Sequence, residues 1–130
     1  MFAKNIMMVQ PKQFFVNLET YEDNKFMHES KQTHEQTTQL ALKEFNGLVS
    51  SYSNAGVGVE VFTNKHDQCV DSIFPNNWVS FHKGSRFPSG LVVIYKMKHP
   101  TRQMEVDMDM VKAIQQKYSY ETVIDMNEIY

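Results

Sequence analysis

With 130 residues, 42% of them hydrophobic and 22% charged, the chain has an ordinary globular composition and the length for one modest core. Thirteen Lys and Arg against fifteen Asp and Glu leave a formal net charge of -2, and no basic stripe is present that would neutralise several phosphates, which argues against nucleic-acid binding. The single cysteine, Cys69, rules out an internal disulfide, and neither a signal-peptide pattern at Met1-Phe2-Ala3 nor an apolar run near the roughly 18 residues of a spanning helix occurs, so a cytosolic protein without membrane contact is expected.

In chain order, Ile6-Met7-Met8-Val9 reads as a short buried strand that stops at Pro11, where a backbone donor is lost. Phe14 to Gln32 is polar and irregular, with Asn17, Asp23 and Asn24 as turn formers. From Thr33 a helix is predicted, its apolar stripe made by Leu40, Ala41, Phe45, Leu48, Val49 and Tyr52 at steps of three and four. Asn54-Ala55-Gly56 supplies the stop. Val57, Val59 and Val61 alternate with Gly58, Glu60 and Phe62 in a strand with one face more buried than the other.

Cys69 to Phe74 and Trp78 to Phe81 are strand-like, separated by Pro75-Asn76-Asn77. Turn signals at Lys83-Gly84-Ser85-Arg86 and Pro88-Ser89-Gly90 join the second of these to the β-branched run Leu91 to Tyr95, predicting a hairpin. A second helix is expected with Thr101 as its N-cap and Met104, Met108, Val111, Ile114 and Tyr118 on one side. Thr122-Val123-Ile124 begins a last strand. The order is mixed α/β without the regular alternation of a doubly wound sheet.

The chemistry-bearing residues are few. No phosphate-binding glycine loop is present, since Gly56-Val57-Gly58 precedes a strand instead of opening a helix. His28, His34, His66, His82 and His99 lie in different elements and no pair has the i, i+4 spacing of a helical metal site, so no metal or cofactor is expected. Cys69 and His82 are close in sequence, but a free cysteine in an apolar run is more commonly a small buried hydrophobe than a nucleophile. Asp71-Ser72-Ile73-Phe74-Pro75-Asn76-Asn77 is the exception. Two adjacent amides beside a carboxylate suit the gripping of a planar ligand with several donors, and they equally suit a turn after proline. Arg102, read as lying in the first turn of the second helix, is poorly placed for the helix dipole, which hints at a partner such as a ligand carboxylate held bidentately.

Three blocks together resemble the amidinotransferase and dimethylarginine dimethylaminohydrolase superfamily: Met8-Val9-Gln10-Pro11, the block Asp71 to His82 with its FPNNW core, and His99-Pro100-Thr101-Arg102-Gln103-Met104-Glu105. The FPNNW core is similar to that of the citrulline- and arginine-utilising hydrolase branch, and the likeness runs from about Ile6 onward. The resemblance implies a pentein, a propeller of five β/α modules around a guanidine site, in which a cysteine attacks the guanidinium carbon and a histidine moves the proton. Asp71 and Phe74 then match substrate contacts, and Asn76 and Asn77 stand where dimethylarginine-hydrolysing relatives carry a Glu-Asp pair. Arg102 matches the arginine that holds the amino-acid end of the substrate, while Gln10 and Gln103 replace arginines common in the branch and soften the anion-binding side.

The expectation is a single incomplete pentein-type domain over residues 1–130, the first module plus the opening strand of the second. Its ligand is a guanidino or ureido amino acid, bound by Asp71, Phe74, Asn76, Asn77 and Arg102, with no matched catalytic cysteine, histidine or acid and hence no activity alone. The alternative expectation is a non-enzymatic interaction module that associates with a full-length homologue or with itself.

Overall fold

A computed structural model describes residues 3–19 and 33–129. Asp23, Asn24 and His28 lie outside these residues, as does most of the stretch expected to be irregular. The described residues form a mixed α/β structure with two sheets, and the chain divides into two compact units, Met1–Phe74 and Pro75–Tyr130.

In the first unit, strand β1 (Asn5–Gln10) pairs in parallel with β2 (Gly58–Thr63), from Asn5 opposite Gly58 to Gln10 opposite Thr63. Parallel neighbours need a crossover, and helix α1 (His34–Asn54) lies within it. Thr33 starts the helix with a reciprocal cap: the Gln36 amide donates to Thr33 Oγ1 at 3.1 Å, and the Thr33 amide donates to Gln36 Oε1 at 3.1 Å. Gly56, at φ 83°, takes the left-handed conformation that ends it.

The face that α1 buries is narrower than the expected stripe. Phe45 and Thr38 are buried and Ala41 and Val49 are half-buried, whereas Leu40, Leu48 and Tyr52 are exposed. Leu40 precedes Phe45 by five residues, which at roughly 100° per residue places it about 140° away around the helix. A polar residue takes a place on the buried face: the Phe14 amide donates to Thr38 Oγ1 at 2.9 Å, and that hydroxyl donates to the His34 carbonyl at 2.8 Å.

Cys69 to Phe74 is not a strand. Successive turns close it, with the Ser72 amide donating to the Cys69 carbonyl at 3.2 Å and the Phe74 amide to the Asp71 carbonyl at 3.1 Å. Cys69, Val70, Asp71 and Ser72 are consecutively buried, without the alternation a half-buried strand would show.

In the second unit, β3 (Val79–His82) and β4 (Leu91–Ile94) form the expected antiparallel hairpin, Val79 opposite Ile94 and His82 opposite Leu91. Strand β5 (Thr122–Asp125) joins β4 in parallel, so β4 is central and its Val92 and Ile94 are fully buried. Gly90, at φ 79°, turns the chain into β4, and a Cβ there would meet Tyr120 Cα at 2.9 Å.

The expected second helix is two helices. Pro100–Gln103 forms one turn, α2, with His99 and not Thr101 at its N-cap; α3 (Met108–Tyr118) follows. The break falls at Asp107, whose carboxylate accepts from the Asp109 amide at 2.9 Å and starts the helix afresh. Helix α3 buries Met110, Val111 and Ile114, whereas Met104 and Met108 are exposed. Lys83 Nζ donates to the Tyr118 carbonyl at 2.7 Å and to the Ser119 carbonyl at 3.2 Å, a cation at the negative end of α3. Among the described residues no helix is long and apolar enough to cross a membrane.

Candidate ligand-holding residues

Pro75–Asn77 forms a single 3-10 turn at the start of the second unit. Its closing bond runs from the Trp78 amide to the Pro75 carbonyl at 3.0 Å, and the Trp78 indole is 1% exposed. The Tyr95 amide donates to the Trp78 carbonyl at 2.8 Å and ties the turn to the end of β4. A fully buried anchor therefore fixes a turn whose two asparagines, Asn76 and Asn77, stand exposed.

Arg102 lies in α2, a helix of one turn, so the unfavourable dipole expected at the start of one long helix does not arise. Its guanidinium is held side-on by Glu105, with Nε donating to Oε2 at 2.6 Å and Nη2 to Oε1 at 3.1 Å. Nη2 also donates to Asn77 Oδ1 at 3.1 Å. Glu105 is 1% exposed and the Arg102 side chain 13%, so the pair has been taken largely out of water. Such a carboxylate needs its partner, and the two donors supplied by one planar group match its two oxygens. Of the expected site residues, Asn77 and Arg102 are thus in direct contact.

Asp71 and Phe74 belong to the first unit. Asp71 is buried and accepts from Asn17 Nδ2 at 3.0 Å, while the Glu19 amide donates to Asn17 Oδ1 at 3.1 Å. Asn17, expected only as a turn former, links the segment after β1 to this carboxylate. The Phe74 ring is 45% exposed. Ser72 Oγ is buried with no hydrogen-bond partner among the described residues.

Cys69 is 1% exposed, which fits the reading of a small buried hydrophobe. His82 Nε2 lies 2.8 Å from Ser80 Oγ, which is also 2.8 Å from Tyr95 Oη, and its ring tilts against Phe87. A thiol reagent added to the native protein is expected to leave Cys69 unmodified for as long as the fold persists, with full reaction in denaturant. Rapid native labelling would show the turn to be open. Among the described residues no group of three or more His, Cys, Asp or Glu is arranged to hold a metal ion.

Sequence reasoning missed Glu105 and Asn17. Glu105 had a signal in its i, i+3 spacing from Arg102, and it sits in the turn just beyond α2. Asn17 had none, because its partner lies 54 residues away.

Comparison with family models bears out the superfamily resemblance. The chain belongs to the eukaryotic N,N dimethylarginine dimethylhydrolase family, whose model matches residues 10–130. No curated protein and no solved structure matches the chain.

Proposed function

We propose that residues 1–130 are a single incomplete pentein-type domain, the first propeller module with the opening strand of the second, and that they contribute the substrate-holding side of a cytosolic guanidine-modifying hydrolase. Asp71, Phe74, Asn76, Asn77 and Arg102 hold a guanidino or ureido amino acid, with Arg102 directed to its carboxylate. The observation that supports this reading is the seating of Arg102 on Glu105 and Asn77, which fixes the plane of its guanidinium beside the turn that bears the two asparagines. By themselves these residues do not catalyse. Cys69 is the one thiol, and its burial in a turn denies a substrate carbon access to the sulfur.

Incubation of the purified chain with L-arginine, methylated arginines and L-citrulline tests both parts. Saturable binding in a calorimetric titration, lost in Arg102→Ala, is expected, with no product by mass spectrometry. Turnover would overturn the inactivity, and absence of all binding would overturn the ligand-holding role. A second reading, an interaction module that pairs with a longer homologue or with itself, draws on the exposed Leu40 and Leu48 of α1. Stable co-purification with such a partner in the absence of ligand binding would favour it.

A further inference from the structure

The hydrogen bonds of Arg102 are divided between two edges of its guanidinium. The group is planar, with five N–H donors and no acceptor: one edge presents Nε–H beside one Nη2 hydrogen, and the next presents the other Nη2 hydrogen beside one from Nη1. Glu105 takes the first edge whole, since Nε donates to Oε2 at 2.6 Å and Nη2 to Oε1 at 3.1 Å. The other Nη2 hydrogen goes to Asn77, whose contact atom 3.1 Å away is the carbonyl oxygen Oδ1, the only kind of atom a pure donor accepts there. That oxygen sits on the second edge, the one a further carboxylate needs if it is to grip Arg102 through two parallel bonds. The two partners are not equally exchangeable. Glu105 is buried and cannot give way to a ligand without leaving a charge unpaired in the interior, whereas the Asn77 side chain is exposed and can turn into water.

We propose that Asn77 is an internal stand-in for a ligand's carboxylate: its carbonyl oxygen occupies the second edge of Arg102 until a carboxylate displaces it, so every two-oxygen contact with Arg102 is made against this competitor. This rests on the ligand-holding role proposed above and adds how that role is restrained from within the chain. The exchange is favourable in the bond itself, because an ionised acceptor on a guanidinium makes a hydrogen bond about twice as strong as a neutral one. The amide therefore weakens carboxylate binding without preventing it. An aspartate at the same position would hold Arg102 as firmly as a ligand does, and an alanine would leave the edge to the ligand. Asparagine lies between these extremes. Displacement of Asn77 also disturbs the Pro75–Asn77 turn, which Trp78 closes, so occupation of Arg102 is felt at the turn as well. The second amide, Asn76, makes no contact of this kind with Arg102.

L-arginine and its decarboxylated analogue agmatine differ in the carboxylate, so the ratio of the agmatine to the L-arginine dissociation constant, measured by titration calorimetry on the full chain, reports what that carboxylate contributes. Any contact of Asn77 with the rest of either ligand cancels in the ratio. Asn77→Ala is expected to raise it about three- to tenfold above the wild-type value, because the competitor is gone. Asn77→Asp is expected to lower it below the wild-type value, because the competitor then carries a charge of its own. Should the aspartate variant fail to fold, Asn77→Ala, a truncation of an exposed side chain, decides the matter alone. A ratio that stays at the wild-type value or falls in Asn77→Ala, or one that does not fall in a folded Asn77→Asp, overturns the inference while leaving the ligand-holding role standing. Binding of neither ligand by any of the three proteins overturns both.

Discussion

Replacing Glu105 by alanine is expected to lower the free energy of unfolding by about 3–5 kcal/mol, the range for removing one partner of a buried ion pair. Two effects add. The Arg102 guanidinium loses both carboxylate contacts while its side chain remains 13% exposed, too little for water to replace them. The space vacated by a fully buried side chain also loses its packing. Glu105→Gln, which keeps the volume and one acceptor oxygen, is expected to cost less, about 1–3 kcal/mol. Urea unfolding followed by the fluorescence of Trp78, which lies in the same unit as Glu105, at several salt concentrations provides the measurement. A loss below about 1 kcal/mol that also shrinks with added salt would mark the pair as an ordinary solvent-screened surface contact.

Trp78→Ala is expected to be as damaging, at about 3–5 kcal/mol, because it empties the largest fully buried side chain described here. Its position makes the consequence wider than packing. The Trp78 amide closes the Pro75–Asn77 turn and its carbonyl receives the Tyr95 amide, so the indole holds in place both the turn that bears the asparagines and the end of the β3–β4 hairpin. Trp78→Phe retains an aromatic ring and is expected to lose less than about 2 kcal/mol. If the alanine variant unfolds at nearly the wild-type urea midpoint, the indole is not the anchor of that turn.

Much of the framework was legible from pattern. The strands around Ile6, Val59, Phe81, Val92 and Val123 announced themselves through apolar or alternating runs bounded by turn residues, and the apolar period beginning near Thr33 marked α1. The misreadings have local physical causes. Cys69 to Phe74 has the composition of a strand, but its four consecutive buried residues include Asp71, held by an asparagine far away in sequence. The long helix expected after Pro100 kept its apolar period across Asp107, and periodicity has no means of registering a side chain that caps a new helix within the pattern. For the candidate site, residue types were visible and orientations were not. Arg102 drew attention for a dipole clash that vanishes once the helix is split, and it keeps that attention because of Glu105 and Asn77. The superfamily likeness rested on the spelling of FPNNW, whereas the polarity of its second asparagine is set by a contact 25 residues away.

The chain contains a single tryptophan, and it sits in the second unit. Indole emission, excited at its red edge where tyrosine does not absorb, is consequently an optical signal confined to Pro75–Tyr130, and its shift to longer wavelength reports when that unit alone admits water. Far-ultraviolet dichroism receives most of its helical signal from the 21 residues of α1 in the other unit. The two spectroscopies therefore watch different halves of one polypeptide, and whether their transitions coincide is a direct reading of how cooperatively the halves unfold.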